Sequence, residues 1–163
     1  MSKPTVSKPV TLRHFAFRIA GPREFCIAGA INGLIAYWLY GQAESVTLFT
    51  DYPLAAMLIP MSILLPGLSS FFGVLAASLG RKAAAIDPPM ANELRWLPFA
   101  IRIGIGMALI VGLLTILILW GCRLQGFNPS FNGFHAFLAI TVGSGLAAAI
   151  CHVNAIFLST RVL

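Results

Sequence analysis

The chain has 163 residues, of which 58% are apolar and only 10% charged, with a mean hydropathy of +0.87 and a formal net charge of +6. Soluble domains carry about 25% charged residues. The composition therefore excludes an ordinary water-soluble globule and makes lipid the main solvent.

A basic tail, residues 1–21, comes first. Within it, Thr11 to Ala20 sets Leu12, Phe15, Ala16 and Ile19 at helical spacing, with Arg13, His14 and Arg18 on other faces, before Gly21-Pro22 interrupts. This pattern predicts a short amphipathic helix on the membrane surface; the alternative is a tail running straight into the first span. A transmembrane domain, 22–163, follows, with spans predicted over 22–41, 54–80, 98–121 and 134–159. About 20 apolar residues cross a hydrocarbon core of about 30 Å. Barrel strands alternate with period two, whereas these runs do not alternate, so helices are expected. The predicted fold is all-α: a polytopic transmembrane bundle of four helices behind a short N-terminal interfacial helix. A basic tail of 21 residues precedes the first span, which reads as an uncleaved anchor.

The positions of the basic residues explain the net charge. Lys3, Lys8, Arg13, Arg18 and Arg23 precede span one, Arg81, Lys82 and Arg95 lie between spans two and three, and Arg161 follows span four. The other side holds Arg123, with Glu44 and Asp51. Cytoplasmic loops carry the Lys/Arg excess, which predicts a multi-pass protein of a bacterial inner membrane with both termini cytoplasmic. The basic residues are thus a topology signal with a use on anionic headgroups, not a nucleic-acid surface. Tyr37, Trp38, Tyr40, Tyr52, Trp96 and Trp120 fall at the span ends, where aromatic belts belong.

A faint repeat runs through the chain. Arg23, ten residues before Gly33-Leu34, is echoed by Arg102, ten residues before Gly112-Leu113, and Gly67-Leu68 is echoed by Gly145-Leu146. Two tandem helical hairpins in the same orientation would give a parallel repeat. Gly-Leu pairs are also common in apolar sequence, so coincidence of composition stays open.

In lipid, helices associate through close packing, so small residues at four-residue spacing mark contact faces. Gly29 and Gly33 in span one, Ala100, Gly104, Ala108 and Gly112 in span three, and Gly145 in span four form such stripes, expected as seams inside the bundle, with dimer faces as the alternative. In span two, Pro60, Pro66 and Gly67 remove backbone donors or loosen the helix. Interrupted helices bind substrates in some transporters, which makes Ser62, Pro66 and Ser69 site candidates. The alternative is a kinked helix whose serines satisfy the released carbonyls. Arg102 and His152 are the ionisable residues within spans; such residues are costly and often functional. With Asn32, Ser69 and Ser70 they would form a polar layer. Arg102 alternatively snorkels to headgroups, and His152 alternatively packs as a neutral side chain.

The acidic residues Glu24, Glu44, Asp51, Asp87 and Glu93 fall at span ends or in loops, and Cys26, Cys122 and Cys151 lack metal-type spacing. Acid–base and metal chemistry needs groups that converge on one point. No enzyme, metal or cofactor is expected; the third reading is a membrane enzyme or cofactor carrier centred on His152.

The run Ile31-Asn32-Gly33-Leu34-Ile35-Ala36-Tyr37, then Val46-Thr47-Leu48-Phe49, Ile59-Pro60-Met61-Ser62-Ile63-Leu64-Leu65-Pro66 and Arg81-Lys82, resembles uncharacterised small bacterial four-span integral membrane proteins labelled permease-like. The last span departs from that pattern, with Ala139 and no proline where such proteins carry a lysine and a proline. The resemblance implies membrane location and fold. The expected role is a small permease-like transporter or transporter subunit, acting as a homo-oligomer or in a larger complex. The alternative is a non-transporting accessory or assembly subunit of a membrane complex.

Overall fold

A computed structural model describes residues 9–50, 53–87 and 96–162 of the chain, with side chains as far as Ser159. Lys3, Lys8, Asp51, Tyr52, Glu93, Arg95 and the Arg161 side chain lie outside the described residues.

The N-terminal helix begins at Thr11, whose hydroxyl accepts a hydrogen bond from the His14 amide. Helix α1 (Leu12–His14) passes into a π-helical turn, Phe15–Ala20, and then into α2 (Gly21–Tyr40). The expected break at Gly21-Pro22 does not occur. In a regular α-helix Pro22 would lack a donor and its ring would press on the carbonyl four residues back. The wider turn relieves this, since the Gly21 amide donates to Ala16 O five residues back. In place of a separate surface helix, the described chain forms one rod from Leu12 to Tyr40. Its first turns are anchored by Ala16 and Ala20 against Ala77 and Ile156.

Three further helices follow: α3 (Leu54–Lys82), α4 (Trp96–Leu124) and α5 (Gly133–Val162). All three are long and apolar enough to cross a membrane, and they fit a multi-pass membrane protein. Helix α2, with 20 residues and with Glu24 in its first turn, falls outside that set. Pro60 and Pro66 are accommodated inside α3, which stays helical throughout, and the Ser62 hydroxyl donates to Ile59 O at 2.8 Å.

The bundle ends are tied by two-residue ladders. Strand β1 (Val10–Thr11) pairs in parallel with β3 (Ile86–Asp87), and β2 (Val46–Thr47) pairs antiparallel with β4 (Ser130–Phe131). Arg13, Arg18, Arg23, Arg81 and Lys82 cluster toward the β1–β3 end, here termed the basic end. Helices α3 and α4 both stop on a left-handed residue, Ala84 (φ 53) and Gly126 (φ 66). In each case the following amide reaches back to the last turn, from Ala85 to Gly80 O and from Phe127 to Cys122 O.

Packing does not follow chain order. Helix α5 packs against α2 and α3, and α3 also packs against α4, whereas α2 makes little contact with α3 and α4 little with α5. The helices of each expected hairpin therefore stand apart, and each flanking helix packs on the inner helix of the other half. The sequence repeat is realised in this exchanged form. An offset of 79 residues relates Phe25 to Gly104 and Gly33 to Gly112; one of 78 relates Ile63 to Thr141 and Gly67 to Gly145.

The two seams repeat these pairs. A Cβ on Gly33 would lie 2.6 Å from Thr141 Oγ1, and one on Gly112 would lie 2.6 Å from Ile63 Cγ1. A Cβ on Gly145 would lie 2.9 Å from Phe25 O, and one on Gly67 would lie 3.3 Å from Gly104 O. Gly29 packs beside Thr141 O, Ala108 beside Gly67, and Ala100 is fully buried with Val74 and Ala155. Backbones approach closely where side chains are small. The repeat-related positions thus meet in corresponding seams, with α3 and α5 central and α2 and α4 outside.

Candidate functional site

Because α2 and α3 both pack elsewhere, a groove of about 1090 Å³ remains between them. It runs along the rod formed by the π-helical turn and α2, from Ile19 to Tyr40, which at about 1.5 Å per residue is roughly 30 Å, the thickness of a bilayer core. Its walls are apolar for most of that length. Ile27, Ile31 and Ile35 come from α2, and Leu64, Leu68 and Phe72 from α3. The groove is also larger than the roughly 300–1,000 Å³ of typical small-molecule pockets.

Its polar groups gather toward the basic end, where three helices meet. Ser69 on α3 donates its hydroxyl to Glu24 Oε1 on α2 at 2.6 Å. That separation lies in the range of about 2.5–2.7 Å typical of a hydroxyl donating to a carboxylate. On α5, His152 Nδ1 stands 3.7 Å from Glu24 Oε2. The imidazole is buried and this nitrogen has no hydrogen-bond partner among the described residues. Glu24 keeps 18% of its side-chain surface exposed, and the exposed Arg23 lines the groove beside it. The cluster therefore holds one engaged carboxyl oxygen and a second oxygen facing an unpartnered nitrogen, with the exposed Arg23 also lining the groove.

The repeat provides an internal comparison. The counterparts of Glu24, Ser69 and His152 are Ile103, Ala147 and Val74. Val74 and Ile103 pack together in an apolar cluster, in the place that His152 and Glu24 take in the first half. Arg23 alone keeps its character, in Arg102. One helix crossing is thus built twice, once with polar and once with apolar side chains.

Of the residues singled out by sequence, the structure unites Ser69 and His152 and places Asn32 along the same groove, its amide donating to Ala28 O at 2.8 Å. Pro66 and Ser70 are buried in α3, and Ser70 Oγ has no hydrogen-bond partner among the described residues. Ser62 is half-buried and bonded within its own helix. Arg102 is exposed on α4, away from the groove, so it does not join the polar layer. His135 is exposed near the start of α5, at the opposite end of that helix from His152. Among the described residues, no group of three or more His, Cys, Asp or Glu side chains could hold a metal ion.

Glu24 is the residue that sequence reasoning missed, because a carboxyl one residue after Arg23 reads as the start of a span. The available signal was its spacing of four and eight residues from Ala28 and Asn32, which puts all three on one face. No family model, curated protein or solved structure matches the chain.

Proposed function

We propose that the protein crosses an inner membrane four times, termini in the cytoplasm, and acts as a small permease-like carrier whose ligand site is the Glu24–Ser69–His152 cluster. The carrying observation is the placement of a carboxyl group and an imidazole, drawn from separate helices, on the wall of a long apolar groove. Ionisable groups in the apolar part of a bundle are costly and mark substrate and proton pathways. The repeated half builds the same crossing from Ile103, Ala147 and Val74, so packing alone does not require polar residues there. The relation of α2 to α4 supports reading α2 as a span, because α4 is long and apolar enough to cross. The basic end supports the cytoplasmic assignment.

Single cysteines at Ile31 and Leu68 on the groove wall, and at Leu113 on the outer face of α4, test this in a background lacking Cys26, Cys122 and Cys151. A carrier opens its groove to water during turnover, so a small water-soluble thiol reagent is expected to label the first two positions and not Leu113. Equal protection of all three would replace the carrier by an accessory subunit with a dry bundle.

A further inference from the structure

The groove and its polar end also constrain the chemistry of the ligand. Glu24 Oε2, left over when Ser69 takes Oε1, faces His152 Nδ1, buried and without a hydrogen-bond partner among the described residues; in the tautomer that carries its proton on Nε2, both atoms are acceptors. They are 3.7 Å apart, and a group with several N–H donors can serve both. An ammonium carries three donors and no acceptor. Arg23, one residue before Glu24, adds a planar guanidinium suited to phosphate oxygens. A positive group beside a negative one is complementary to a head in which a phosphate is joined to an amine. The rest of the groove offers apolar side chains over roughly 30 Å, suited to an acyl chain.

We propose that the α2–α3 groove binds an aminophospholipid. Its ammonium lies between Glu24 Oε2 and His152 Nδ1, its phosphate lies on Arg23, and an acyl chain runs along Ile27, Ile31, Leu64 and Leu68. This rests on reading the cluster as the carrier's ligand site, and it names the ligand class. A ligand of this kind enters sideways from the bilayer, which suits a groove between two helices that make little contact.

Native mass spectrometry of the delipidated full chain in detergent, titrated separately with phosphatidylethanolamine, phosphatidylglycerol and phosphatidylcholine, tests it. Phosphatidylethanolamine should be retained about tenfold better than phosphatidylcholine, whose quaternary amine has no N–H to donate; that ratio corresponds to one hydrogen bond to a charged group. Glu24→Gln should remove this preference. Arg23→Gln should weaken all three phospholipids together, and Arg123→Gln, far from the groove, should change nothing. If Glu24→Gln does not fold, His152→Val, which copies Val74 of the other half, should also lose the preference.

Equal retention of the three lipids by the native chain would overturn the proposal. So would an unchanged preference in both Glu24→Gln and His152→Val, or displacement of the lipid by soluble glycerophosphoethanolamine at equal concentration. Translocation measured on the same preparations in vesicles separates the two readings. Selective binding without translocation would overturn the carrier alone, whereas labelled groove cysteines with no lipid preference would overturn the ligand assignment alone.

Discussion

If the Glu24–Ser69–His152 cluster serves function and not folding, it can be exchanged for its counterparts in the repeat. The triple variant Glu24→Ile, Ser69→Ala, His152→Val copies Ile103, Ala147 and Val74 into the first half. Single changes should be costly. Ser69→Ala strips Glu24 of its 2.6 Å hydrogen bond. A hydrogen bond to a charged group contributes roughly 1.5–3 kcal/mol, and because 18% of the Glu24 side chain is exposed, the low end, about 1.5 kcal/mol, is expected.

Glu24→Ile alone leaves the buried Ser69 hydroxyl without its acceptor, at about 1–3 kcal/mol for an abandoned polar group. Independent effects would sum to at least about 2.5 kcal/mol. The triple variant removes all the polar groups together, and replacing both partners of a buried polar pair by apolar groups of the same shape can be nearly neutral or stabilising. It is therefore expected to match or exceed the native chain in stability, measured by far-UV circular dichroism during titration of mixed micelles with a denaturing detergent. A triple variant that is destabilised by the sum of the single losses, or that does not fold, would refute the assignment of the cluster to function.

Other expectations concern the frame that holds the groove. Ala84 holds a left-handed conformation (φ 53) at the end of α3, which strains a non-glycine residue by roughly 1–2 kcal/mol, so Ala84→Gly should stabilise the protein by about 1 kcal/mol in the same titration. Gly73→Ala should destabilise by about 1–3 kcal/mol, because its Cβ would lie 2.6 Å from the His152 carbonyl in the α3–α5 seam. Gly106→Ala meets nothing within 4 Å and should gain about 0.5–1 kcal/mol from helix propensity. Arg102→Gln, at an exposed position outside the groove, should stay within about 0.5 kcal/mol of the native chain and leave groove labelling unchanged.

The helical bundle was legible because its apolar runs are long and unalternating, and the repeat was legible at Gly33, Gly67, Gly112 and Gly145. In the fold those four glycines line the seams where helix backbones approach closely, so their spacing records contact geometry directly. The path through Gly21-Pro22 was not legible, because proline signals a break while a π-helical turn carries no clear sequence mark. The polar cluster was half legible. Ser69 and His152 stood out as polar groups within apolar spans. Glu24 did not, because its value depends on α2 and α3 both resting on α5, which no local pattern encodes. The groove was hidden for the same reason: the two helices of a hairpin ordinarily pack together, and here the exchanged arrangement holds α2 and α3 apart.

The most direct test of Glu24, Ser69 and His152 as the working site is translocation of a fluorescent aminophospholipid across sealed vesicles containing either the native chain or the folded triple variant. The native chain is expected to move the lipid between leaflets, and the triple variant to lose that movement while remaining folded. Equal movement by both proteins would contradict the assignment.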